Sequence, residues 1–124
     1  MQIDKSKEFD RDFKPLLKRY RTLETDMNNL VDALESSPSP ESKSNLIILK
    51  HEGNRLYGLK AYLYCASLKT DRKIRVIYTY DVDGQRIKLV EIYVKSGKDK
   101  HDKKRLERYF GEFLNEIRER ETGG

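Results

Sequence analysis

The sequence predicts an α+β fold: an N-terminal helical hairpin packed on a small, mostly antiparallel sheet, with a C-terminal helix. Three observations predict it. Residues 6–36 carry two apolar stripes at helical spacing. Two alternating strands further on are joined by an Asp-Gly turn. A third apolar stripe at helical spacing fills residues 102–120. Helices and strands are thus segregated along the chain, which speaks for α+β rather than an alternating parallel α/β fold.

The first stripe is Phe9, Phe13, Leu16 and Tyr20, with Ser6 placed to cap its start. Pro15 conflicts with it, because proline removes one helical hydrogen bond; a bend or a new start is expected there. Thr22 is the expected cap of the second helix, with Glu24 and Asp26 in the first turn where acids suit the helix dipole. Leu23, Met27, Leu30, Val31 and Leu34 form its stripe. The short connection predicts an antiparallel hairpin. The Ser/Pro-rich residues 37–45 read as a linker.

The sheet is expected over about 46–95. Leu46 to Leu49 suits a first strand or a last helical turn, and His51 to Asn54 a loop. Leu59 to Leu68 is the next expected strand, rich in Tyr and other residues of high β propensity. In Lys73–Asp81, Ile74, Val76, Tyr78 and Tyr80 share one face, while Arg75, Ile77 and Thr79 share the other. Val82–Gln85 is the turn, with Asp83-Gly84 expected to supply its positive φ. Arg86–Lys95 returns, with Ile87, Leu89 and Glu91 opposite Lys88, Val90, Ile92 and Val94. The last helix carries Leu106, Tyr109, Phe110, Phe113, Leu114 and Ile117 on its stripe.

A length of 124 residues fits one domain, 1–124, with a modest interior. Charged residues make up 38% and hydrophobic ones 36%, so the core must come from these few patterned segments. The net charge of +5 suits a polyanion such as nucleic acid, and also an acidic protein. Cys65, the one cysteine, forms no internal disulfide and sits in an apolar run, as a buried inert thiol does. No apolar run approaches the roughly 20 residues of a membrane span, and the N-terminus has no signal-peptide core. A cytoplasmic protein without membrane association is expected. One Cys and two distant His give no metal-ligand spacing, and no Gly-rich phosphate loop occurs. No metal or other cofactor is expected.

Ile74–Asp81 (IRVIYTYD) resembles the central strand of RelE-family toxins. Leu89–Arg108 resembles that family's last strand and C-terminal helix, Phe9–Tyr20 its first helix, and Ser67–Lys69 the segment before the Arg strand. The resemblance runs from about Phe9 to Tyr109 and leaves out residues 41–58 and the tail. It implies a two-helix hairpin on a mostly antiparallel sheet. It further implies a toxin of the RelE/ParE group, neutralised by a cognate antitoxin protein that wraps around it. The RelE branch cleaves mRNA on the ribosome, and the ParE branch poisons DNA gyrase. A non-catalytic binding protein of the same fold is the remaining alternative.

For metal-free RNA cleavage the resemblance marks Arg75, the strand arginine, whose planar fork suits a phosphate. It also marks Lys95 at the end of the last strand, Lys69, and His101, which follows Lys95 by six residues and is of a residue type whose pKa lies close to neutrality. Lys60 is a weaker candidate, and His51 is read as incidental. Residues 95–108 hold seven Lys/Arg (95, 98, 100, 103, 104, 105, 108) against three acids (99, 102, 107), a net +4. Lys98, Lys100, Lys103 and Lys104 are therefore expected, with Lys60, to contact the RNA backbone. Part of this pattern is also what a solvated helix face with i,i+4 pairs would show.

Overall fold

Ser6 opens the first helix as its position predicts: its Oγ accepts the Phe9 N–H at 3.0 Å. In the computed structural model, which describes residues 1–38, 46–95 and 100–123 (backbone alone for 70–72), eight elements follow one another. They are β1 (Gln2–Lys5), α1 (Lys7–Arg19), α2 (Leu23–Ser36), β2 (Leu46–Glu52), β3 (Leu56–Cys65), β4 (Thr70–Asp81), β5 (Arg86–Val94) and α3 (Lys103–Thr122). The linker expected over 37–45 lies outside the described residues from position 39 onward.

The sheet order is β1-β5-β4-β3-β2. All neighbours are antiparallel except β1 and β5. The α+β expectation holds, with β1 as an addition. Four residues without an apolar stripe give little signal, and β1 exists because β5 offers it an edge. α1 runs through Pro15 without a break. Thr22 stands at the cap position of α2, but its side chain does not cap the helix. Its Oγ1 instead donates to Asp26 at 2.7 Å and accepts the Ser67 N–H at 2.8 Å, tying α2 to the β3–β4 turn.

The two faces of the sheet are covered differently. Phe9, Phe13, Leu23, Met27 and Leu34 from α1 and α2 pack on Leu59, Ala61, Leu63, Val76, Tyr78, Leu89 and Ile92. Cys65 is buried in this cluster, as expected. On the other face α3 packs Phe110, Phe113 and Ile117 around Leu56, and Leu106 against Ile77, Val90 and Tyr93. Gly58 admits the helix: a Cβ there would lie 3.2 Å from Leu106 Cδ1.

Several sequence expectations need correction. Residues 46–52 are one strand, so His51 lies within β2 rather than starting a loop; its ring stacks on Tyr57 with centroids 6.3 Å apart. β3 begins and ends three residues earlier than expected, which leaves Lys69 in a turn with φ 54°. In the Val82–Gln85 turn the positive φ belongs to Gln85, not Gly84. Glycine is needed at 84 for space, since a Cβ would fall 2.3 Å from Asp81 Oδ2 and 2.7 Å from Arg120 Nη1.

The alternation in β5 also fails halfway. Ile77 pairs with Glu91 but Tyr78 with Leu89, so Val90 is an extra residue, a β-bulge. The bulge returns Ile92 to the face of Ile87 and Leu89. It leaves the Val90 carbonyl outside the ladder, where Ser6 Oγ donates to it at 3.2 Å and Arg105 Nη1 at 3.3 Å.

Candidate functional site

α3 runs across the sheet from Arg120, at the β4–β5 hairpin, to its cap Asp102, at the β5 bulge. Arg120 donates to both oxygens of the buried Asp81, at 2.8 and 3.1 Å. At the other end Glu91, also buried, accepts the Asp102 N–H at 2.8 Å. Asp102 in turn accepts the Arg105 N–H at 3.0 Å. The helix therefore covers the hairpin half of this face and directs its N-terminus towards the other half.

On that half, Tyr62, Arg75 and Tyr93 are register partners on β3, β4 and β5. Strand alternation puts Arg75 opposite Val76 and Tyr78, as the sequence predicts. Its guanidinium carbon lies 3.9 Å from the Tyr62 ring centroid, and its Nη1 donates to the Ile74 carbonyl at 3.3 Å. Arg75 is only 6% exposed. A cation held over an aromatic ring and largely stripped of water is attracted strongly to the ring face. Burial pushes the Tyr93 phenol up; Glu91 adds to this and Arg75 opposes it. The phenol stays protonated at neutral pH.

The lysines distribute around this row. Lys60 is half-buried one row closer to α3, paired in register with Ile77, which in turn faces Glu91. Lys95 follows β5, exposed, and its N–H donates to the Lys73 carbonyl at 2.6 Å, so both lysines stand at the same end of the sheet. Lys69, in the β3–β4 turn, belongs to that end and not to a strand. Lys100, Lys103 and Lys104 are exposed around the start of α3. Cations in a helix's first turn oppose its dipole, and here acids are lacking from that turn. Lys98 lies outside the described residues.

His101 is half-buried just before the cap and lines a shallow pocket of about 230 Å³ with Leu49, Lys50, Lys103, Leu106 and Glu107. It thus shares the face of Arg75 but borders β2. The Glu91 and Arg75 rows are two residues apart, about 7 Å along the strands. Two of the seven cations counted in 95–108 serve the fold instead: Arg105 bonds Asp12 of α1 at 2.6 Å, and Arg108 pairs with Glu8. The sequence did not single out Tyr62 or Tyr93. The signal was available in principle, as the residues across from Arg75, but it required the register. Among the described residues no group of three His, Cys, Asp or Glu side chains is placed to hold a metal ion. No described helix is long and apolar enough to cross a membrane.

No protein-family model and no curated protein matches the chain. Among solved structures it is similar to a chain of the archaeal RelE–RelB complex from Pyrococcus horikoshii, with 21% identity and a TM-score of 0.57. That similarity covers 76% of this chain and 93% of the other. A solution structure of the conserved hypothetical protein HP0892 from Helicobacter pylori is 23% identical with a TM-score of 0.46, over 77% of this chain and 96% of that one. The architecture of this chain is the RelE-like α+β fold.

Proposed function

We propose that this chain, with its RelE-like fold, is the toxin of a toxin–antitoxin pair and cleaves mRNA on the ribosome. The observation that carries this reading is Arg75. Its guanidinium is largely desolvated and lies over the Tyr62 ring, on the sheet face that also carries Lys60 and α3.

Cleavage through the 2′-hydroxyl needs a proton removed there, charge stabilised on the phosphate, and a proton delivered to the leaving 5′-oxygen. Arg75 supplies the phosphate with a fixed cation in a water-poor place, where such a charge acts most strongly. Lys60 and Lys95 add charge from the row towards α3 and from the sheet end. His101 is the proton-transfer group, since its ordinary pKa lies near neutrality. Acid–base groups of this kind contribute about 10²–10⁴-fold. Lys69, Lys98, Lys100, Lys103 and Lys104 engage the backbone of mRNA and ribosomal RNA. The cognate antitoxin is an acidic partner that covers this face.

Induced expression in a bacterial host, with pulse labelling of protein and DNA synthesis, tests the reading. Growth arrest with an immediate stop in translation is expected. Continued translation with accumulating DNA breaks would assign the chain to gyrase poisoning instead. Normal growth at full expression would reject both activities and leave a non-catalytic binding protein.

A further inference from the structure

The RNA-cleaving reading says nothing about how nucleobases are held, and the edge of β3 carries a feature suited to that. Leu63 and Cys65 point into the core under α1 and α2, so Tyr62 and Tyr64 project on the opposite face. Tyr64 is 55% exposed, the most exposed of the large apolar side chains on the described residues. Side chains two apart on a strand stand roughly 6.8 Å apart. That is about twice the roughly 3.4 Å rise between neighbouring bases of a duplex strand. A pair of rings so spaced receives bases that have been pulled apart, not a stacked helix.

The surroundings fit the same ligand. Arg75 lies over Tyr62, adding a planar cation of a kind that stacks on aromatic rings as well as binding phosphate. Lys60, Lys69, Lys73 and Lys95 flank the pair on β3, the β3–β4 turn and the ends of β4 and β5. Beyond the Leu46–Ala61 pair, the described residues place no strand beside β3 on that side. Aromatic side chains set among cations are the common solution for binding single-stranded nucleic acid, because every base has a stacking face.

We propose that Tyr62 and Tyr64 form a stacking platform for two successive unpaired bases of single-stranded RNA, next to the phosphate held by Arg75. The inference rests on the RNA reading above and goes on to name the bases' binding surface. Its consequence is a preference for unpaired RNA that does not depend on charge.

The test uses the full chain and a short fluorescent single-stranded RNA, 2′-O-methylated throughout so that it cannot be cleaved. Binding is followed by anisotropy across a salt series. Tyr64 is exposed and makes no core contact, so Tyr64→Leu leaves the fold intact. The expected result is an affinity about tenfold weaker for Tyr64→Leu and near wild type for Tyr64→Phe. The salt dependence stays unchanged, because no charge is removed. Binding of wild type with equal affinity by Tyr64→Leu overturns the platform but leaves the RNA reading standing. A Tyr64→Leu defect seen only against a protein partner also overturns it, assigning the tyrosines to a protein interface. A wild-type chain that binds no RNA at all removes the RNA reading, and the platform with it.

Discussion

Glu91 holds the start of α3 by accepting the backbone N–H of Asp102 at 2.8 Å. The contact joins the β5 bulge to the segment that carries His101 and the exposed lysines. A buried hydrogen bond to a charged group contributes about 1.5–3 kcal/mol. Glu91→Ala should therefore lower unfolding stability in urea by about 2 kcal/mol. It should also speed amide exchange at Asp102. Glu91→Gln keeps an acceptor and should lose about half as much. Equal losses for both variants would show that the charge, not the bond, is what matters.

Arg75 separates fold from function more cleanly. Its ring partner Tyr62 belongs to none of the hydrophobic clusters that hold the helices on the sheet. Arg75→Ala should abolish growth arrest while the circular dichroism spectrum at the growth temperature keeps its folded shape. Arg75→Lys keeps the charge but loses the planar stack and fork. It should retain only a small part of the toxicity. Toxicity that survives Arg75→Ala would remove this residue from the site.

How far the sequence revealed this arrangement depends on what each element needs. The helices were readable because their stripes repeat locally, and the β4–β5 hairpin because Asp83-Gly84 marks it. The face of Arg75 followed from simple alternation. Its neighbours did not. Counted back from the hairpin, the register sets Arg75 opposite Ile92, and the bulge at Val90 moves it to Tyr93. A bulge stabilised by Ser6 and Arg105, 84 and 15 residues away in sequence from Val90, leaves no local trace. The same applies to the basic run: Arg105 and Arg108 look like their lysine neighbours until α1 brings Asp12 and Glu8 to them.

Gly84 allows a different test, of the hairpin end of α3. Asp81 is 1% exposed and is held by Arg120 and by the Gly84 N–H at 3.0 Å. A methyl group at 84 would displace both the carboxylate and the guanidinium. Breaking a buried pair costs about 3–5 kcal/mol; Arg120 is partly solvated, so Gly84→Ala should cost about 2–3 kcal/mol. The urea midpoint measures it. Arg120→Met in the Gly84→Ala background should add little, because the pair is already lost. Full additivity of the two would mean that Gly84 acts independently of the pair.

The last prediction concerns alkaline pH. Tyr78 lies fully buried under α1 and α2, and its hydroxyl has no hydrogen-bond partner among the described residues. Burial, then the charge of Tyr80, pushes its phenol well above the ordinary value near 10. Burial raises Tyr80 and Tyr93 as well. An acid whose folded pKa is raised stabilises the fold fully below the unfolded pKa, and this contribution is lost as pH rises through the folded one. Between those limits the unfolded chain releases its protons first. Stability should thus hold to about pH 10 and then fall by about 1.4 kcal/mol per pH unit for each such tyrosine. Tyr78→Phe removes one of them, so its decline should be shallower. At neutral pH the variant also loses a buried hydroxyl that bonds to nothing, and should gain about 1 kcal/mol. Urea titrations of both proteins between pH 7 and 12 check both effects. A Phe variant that is weaker at neutral pH would mean that the Tyr78 hydroxyl has a partner in solution.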